Sequence, residues 1–183
     1  MQVVGFVGSP RVRGNTELLV AEALRGAASA GAEIELVALN RLTISPCQAC
    51  DSCRKTGRCR IQDDMQPLYE KALNADALIL GTPIYFWGPS AQLKTFIDRW
   101  YSFTEREKDE KLAGKGLALI CAHADSDMTT ADAAVTIVRR TAHWYRMNLR
   151  EPLLAVAGDR GAIAKDAATM RRAFELGVSL VKS

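Results

Sequence analysis

Cysteine is the residue type whose spacing speaks first. Of five cysteines, Cys47, Cys50, Cys53 and Cys59 form a C-x2-C-x2-C-x5-C group. Two successive two-residue gaps let three thiolates wrap one face of a compact centre while the fourth arrives after a turn, as in cubane iron-sulfur clusters. Four thiolates also satisfy the tetrahedral preference of zinc, and four free thiols in a loop are the bland alternative. The even spacing of the first three favours the cluster. Cys121 stands apart in an apolar run and reads as a small core residue.

A second chemistry-bearing stretch is Gly8-Ser9-Pro10-Arg11-Val12-Arg13-Gly14-Asn15-Thr16. Small hydroxyl residues, glycines and the opening turn of a helix offer N–H groups, hydroxyls and a positive dipole end to an anion. The lysine of a nucleotide-triphosphate loop is missing, and no Gly-x-Gly-x-x-Gly follows, so a monophosphate fits better than an NTP or a dinucleotide. A plain glycine-rich turn with a good helix cap is the competing reading. The third stretch, Gly81-Thr82-Pro83-Ile84-Tyr85-Phe86-Trp87-Gly88-Pro89-Ser90, sets three successive aromatics between two X-Pro turns. Such a loop provides flat walls for a planar apolar ligand, or an aromatic subunit interface.

These stretches need elements to position them. Residues 2–7, 33–39, 76–80, 116–121 and 149–157 are strand-sized and apolar or bounded by turn residues. Between them, helical spacing runs through Val20, Ala23, Leu24 and Ala27, with Asn15 as cap. It returns through Met65, Leu68, Tyr69 and Ala72, where Asp63 and Asp64 are placed to cap the start. Later helices follow Leu93, Phe96, Ile97 and Trp100, then Ala131, Ala134, Val135 and Val138, then Met170, Phe174 and Val178. Five strands alternating with helices predict an α/β, doubly wound, five-stranded parallel sheet with helices on both faces. Residues 40–63, which hold the cysteine group, show no period and read as a long functional loop. Ligands in such sheets bind beyond the carboxyl ends of the strands, where strand order reverses.

The chain has 183 residues, 48% of them hydrophobic and 25% charged, which suits one soluble domain over 1–183. A net charge of +3, scattered along the chain, gives no basic stripe, so no nucleic acid is expected. No apolar run approaches a bilayer span, so no membrane is expected, and the N-terminus lacks secretory features. Cytoplasmic location follows, with cysteines as thiols or ligands.

The residues Gly8-Ser9-Pro10-Arg11, Gly14-Asn15-Thr16, the run from Pro83 to Lys94 and Asp98-Arg99 together resemble the signature of the flavodoxin-fold NADPH-dependent FMN reductases. The resemblance implies FMN. Its phosphate would be held by Ser9, Arg11, Asn15 and Thr16, with Arg13 and Gly14 in the same loop. Its ring would lie against Pro83, Ile84, Tyr85, Phe86, Trp87 and Gly88, with further contacts around Ala122, His123, Ala124 and Asp125. The cysteine spacing resembles the iron-sulfur flavoprotein subgroup. That resemblance implies a 4Fe-4S cluster on Cys47, Cys50, Cys53 and Cys59, a homodimer or homotetramer, and one-electron traffic between cluster and flavin.

Arg54, Lys55, Arg58 and Arg60 would offset the cluster's negative charge and attract an acidic electron carrier such as a ferredoxin, or simply face solvent. His143, beside Trp144 and Tyr145, reads as structural. Three readings follow: an FMN and iron-sulfur oxidoreductase, an NAD(P)H-dependent FMN or quinone reductase without a cluster, and an electron-transfer or redox-sensing protein.

Overall fold

The computed structural model describes residues 1–104 and 111–182. The strands are β1 (Gln2–Val7), β2 (Glu33–Ala38), β3 (Ala77–Tyr85), β4 (Gly88–Pro89), β5 (Gly116–His123), β6 (Asn148–Leu149) and β7 (Leu153–Val156). The helices are α1 (Asn15–Ser29), α2 (Ser52–Thr56), α3 (Met65–Asn74), α4 (Ala91–Asp98), α5 (Asp132–Trp144) and α6 (Ala167–Val181). Parallel strands lie in the order β2-β1-β3-β5. Both β6 and β7 pair with β5, while β4 pairs antiparallel with β3.

This is the flavodoxin-like doubly wound class expected, with seven strands rather than five. The two extra strands have local causes. The fifth strand is interrupted: its halves Asn148–Leu149 and Leu153–Val156 register separately on β5, and of the residues between them Arg150 N–H still donates to Leu117 O at 2.8 Å. The third strand runs on through Thr82 and Pro83, residues expected in a loop, and turns back at Phe86 and Trp87 to make β4. The long loop is also less uniform than expected. It opens with a 3-10 turn at Leu39–Arg41 and contains α2.

Alternation along the strands splits the core into two layers. Val4, Phe6, Leu78, Leu80, Leu117 and Leu119 face α3, α4 and α5, whereas Val3, Ala77, Ile79, Ala118 and Ile120 face α1 and α6. Burial on both faces is why these strands read as continuous apolar runs. The α1–α6 contact depends on two glycines: a Cβ at Gly26 would overlap the backbone of Phe174, and one at Gly177 that of Ala23. Cys121 is fully buried in β5, and burial pushes its thiol up to about 12. Among the described residues, no helix is long and apolar enough to cross a membrane.

Candidate functional site

Parallel pairing brings the carboxyl ends of β1, β3, β5 and β7 to one edge, and a pocket of ≈ 240 Å³ opens there. Ser9, Arg11, Asn15 and Thr16 line it from the first loop, and Pro83, Ile84 and Tyr85 from the end of β3. Ala122, His123 and Ala124 line it from the end of β5. Arg13, Gly14, Phe86, Trp87, Gly88 and Asp125 are outside its lining. Ala157 and Gly158 line it as well. Sequence reading missed these two, although their place directly after the last strand is the signal that the carboxyl-end rule supplies.

The loops are tied to one another. Gly8 N–H donates to Gly81 O at 2.8 Å, and the buried Ser90 hydroxyl donates to Gly8 O at 2.7 Å while capping α4 by accepting from Leu93 N–H. A Cβ at Gly8 would come within 2.7 Å of Ser90 Oγ, so this close approach requires glycine. Thr82 Oγ1 accepts from Ser90 N–H at 2.9 Å. The cap of α1 is Gly14, not Asn15. Asn15 instead donates both amide hydrogens, to Ala157 O at 3.0 Å and Asp159 O at 2.8 Å, and accepts from Ile163 N–H. Its amide has no hydrogen left for an anion, so Asn15 pins the loop after β7 to the start of α1.

His123 is 4% exposed. Its Nδ1 lies 2.8 Å from Asp125 O, which can only accept, so Nδ1 carries a proton. Nε2 is buried, has no partner among the described residues and belongs to a pocket-lining residue. Asp125 turns its carboxylate back to Asp127 N–H and the Thr130 hydroxyl. Beyond the pocket, the β3–β4 hairpin turns on two non-glycine residues with positive φ, Phe86 at 45° and Trp87 at 63°. Hairpin turns of this hand favour Asn-Gly, so two aromatics here are strained. Phe86 is 94% exposed and Trp87 62%.

The cysteine loop leaves the carboxyl end of β2, at the same edge of the sheet. Cys47 and Cys50 are exposed; Cys53 and Cys59 are half-buried. Burial, reinforced by the neighbouring Cys59 and Cys47 thiols, pushes the Cys53 thiol up. Among the described residues, no three His, Cys, Asp or Glu side chains gather closely enough to hold a metal ion. The loop's stems are firmer. Asp64 holds the N-cap position of α3 without a side-chain cap bond, while Asp63 before it accepts from Ser45 N–H and Met65 N–H, and its carboxylate pairs with the fully buried Arg99 guanidinium at 2.7 Å. Burial opposes ionisation of Asp63, but hydrogen bonds from Arg99 and two backbone N–H groups hold its carboxyl below the usual range. Burial pushes the Tyr69 phenol, beside Arg99, up to about 12.

A family model described as NADPH-dependent FMN reductase matches residues 1–159. The chain belongs to the NADPH-dependent FMN reductase family. It is 48% identical over 99 residues to the iron-sulfur flavoprotein MJ1083 of Methanocaldococcus jannaschii, covering 54% of this chain and 51% of that one. It is 39% identical over 120 residues to an iron-sulfur flavoprotein of Methanosarcina thermophila, covering 65% and 62%. The chain thus spans between half and two thirds of the length of these curated relatives. Among solved structures, an NAD(P)H:quinone oxidoreductase from Methanothermobacter marburgensis superposes with a TM-score of 0.77 over 98% of this chain and 96% of that one. At 17% identity this likeness carries the fold alone.

Proposed function

We propose that the protein is an FMN-dependent oxidoreductase of the iron-sulfur flavoprotein kind, passing electrons between FMN and a 4Fe-4S cluster. The observation that carries it is the pocket at the carboxyl edge, where residues of the first loop and of the ends of β3 and β5, His123 among them, line one space. The residues fit the flavin. Arg11, the hydroxyls of Ser9 and Thr16, and the N-terminus of α1 suit a phosphate ester. A Cβ at Gly14 would approach Arg11 and crowd this floor. His123, which lines the pocket and whose Nε2 has no partner among the described residues, is the polar side chain available to the flavin ring. Pro83, Ile84 and Tyr85 supply the apolar wall. Bound FMN would supply two-electron chemistry, and these residues bind it, orient it and narrow the access of water.

The cysteine donor set fits a cluster in its chemistry: four soft thiols, two half-buried and two exposed, in a loop with firm stems. Such a cluster would supply one-electron transfer. The four thiols must draw together to share a centre, because no such grouping stands among the described residues. The names of the related iron-sulfur flavoproteins support the same reading. Assembly as a homodimer or homotetramer is part of the proposal, supported by the exposed aromatic tip at Phe86 and Trp87. So is an acidic electron carrier, supported by exposed Arg54, Lys55, Arg58 and Arg60 beside the thiols.

The test is the absorption spectrum of anaerobically purified protein, with acid-released flavin and iron measured on the same sample. FMN together with iron and sulfide supports the proposal. FMN without iron, in protein that oxidises NAD(P)H at full rate, leaves a simple flavin or quinone reductase. Absence of flavin even after incubation with FMN overturns the reading altogether.

A further inference from the structure

Arg99 lies outside the pocket, yet its surroundings are unusual for a charged residue. The side chain has no exposure, and each of its five N–H donors has an acceptor. Nε donates to Tyr69 OH at 3.1 Å. Nη1 donates to Ser45 O at 2.7 Å and Asp63 Oδ2 at 2.7 Å. Nη2 donates to Asp63 Oδ1 at 3.1 Å and reaches Ile61 O at 3.5 Å. Ser45 is on the stem entering the cysteine loop, and Ile61 and Asp63 are on the stem leaving it. Tyr69 lines a second pocket with Cys59 and Ser102, and its hydroxyl faces both. Two positions along the same 3-10 turn, Tyr101 donates to Asp51 Oδ1 at 3.1 Å and accepts from Arg54, beside Cys53.

We propose that Arg99 is the positioning residue of the cysteine loop, a buried fork that closes the loop's two stems and, through Tyr69, places Cys59 before any metal is present. The inference rests on the cluster reading given above and goes beyond it. A buried ion pair is a poor way to gain stability compared with apolar packing, but it demands one geometry. Here the geometry demanded is the closure of a loop with little regular structure and exposed thiols. The half of the loop bearing Cys59 is thereby pre-set, and Cys47 and Cys50 close onto it. Lysine carries the same charge but has three donors on a single nitrogen, so it cannot bridge Ser45, Ile61, Asp63 and Tyr69 together.

Arg99→Lys and Tyr69→Phe test this by alkylation of reduced, metal-free protein with iodoacetamide, read cysteine by cysteine by mass spectrometry. Cys121, buried in β5, reports any global opening. In the parent, Cys47 and Cys50 label first and Cys59 labels at least ~10-fold more slowly; in Arg99→Lys that gap closes, in Tyr69→Phe it narrows, and Cys121 stays unlabelled. After anaerobic reconstitution with ferrous iron and sulfide, Arg99→Lys loses iron to a chelator ~10–100-fold faster than the parent. A Cys59 labelling rate unchanged in both variants overturns the inference. If Cys121 becomes reactive in Arg99→Lys, that variant has opened as a whole and Tyr69→Phe decides, an unchanged Cys59 rate there being the contrary result. A parent that takes up no iron, but whose slow Cys59 labelling is lost in Arg99→Lys, keeps the positioning role and removes the cluster.

Discussion

The loop after β1 and the loop after β2 leave the same edge of one sheet, but they are built differently. The first is short, buried at Ser9, Gly14, Asn15 and Thr16, joined by backbone and hydroxyl hydrogen bonds to Gly81 of β3 and to Ser90, and by the Asn15 amide to the loop after β7. Its geometry is set by the sheet itself. The second is long, carries exposed thiols at Cys47 and Cys50, and is fixed chiefly at its stems through Asp63 and Arg99. The first is a cradle fixed along its length, and the second is a clasp fixed at its stems with its thiols apart.

The sharpest way to break this contrast is at the clasp. Asp63→Ala leaves the Arg99 guanidinium buried without its carboxylate, and urea unfolding is expected to show a loss of ~3–5 kcal/mol. The parent is expected to show the same dependence through pH. The folded-state pKa of Asp63 lies below its ordinary 3.8, so its contribution is fully present above that value and lost as pH falls through the lowered folded one. The Asp63→Ala variant lacks that acid-side loss. Equal acid sensitivity in the two proteins would mean the stems are not held by this pair.

At the cradle, Arg11→Ala removes a charge-assisted phosphate contact and is expected to weaken FMN binding by ~10–100-fold, measured by quenching of flavin fluorescence. Gly8→Val drives a side chain into Ser90 and Leu93, costing ~1–3 kcal/mol. That cost is expected in FMN affinity and in stability together, because the two loops share the contact. A variant with lost affinity and parent stability would show that the cradle is not tied to the core.

A smaller effect has the opposite sign. Trp87→Gly relieves a left-handed non-glycine residue and is expected to raise stability by ~0.5–1 kcal/mol. Stability unchanged or lowered would show that the tip is packed rather than strained. The smallest effect concerns the carrier. Exchanging Lys55, Arg58 and Arg60 for Gln is expected to flatten the salt dependence of reduction by an acidic carrier, since screening shortens from about 10 Å at 0.1 M salt to about 3 Å at 1 M. An identical salt response would place the docking surface elsewhere.

The legible parts of the molecule were those written in local periods. Val20, Ala23, Leu24 and Ala27 announced α1, and strand-sized apolar runs announced a two-sided sheet, because burial on both faces leaves that mark in sequence. Ser9, Arg11, Thr16, Pro83, Ile84, Tyr85 and His123 were legible as one site because topology puts strand ends together. Longer-range hydrogen bonding was not legible. The Asn15 amide engages Ala157 and Asp159, far along the chain, and nothing near Asn15 distinguishes that from a helix cap. The hairpin at Phe86 and Trp87 lacks the Asn-Gly signature that would announce it. Arg99 stood in a recognisable motif, but its partners Ser45, Ile61 and Asp63 are known only once the loop is folded.

The most direct test of the two-centre account is Cys50→Ala, prepared anaerobically beside the parent, with FMN, iron and acid-labile sulfide measured in both. Iron, sulfide and FMN near 4:4:1 are expected in the parent, and FMN alone in the variant, because the flavin pocket and the thiol loop are built from separate residues. Iron content equal in parent and variant, or loss of FMN together with iron in a folded variant, would contradict it.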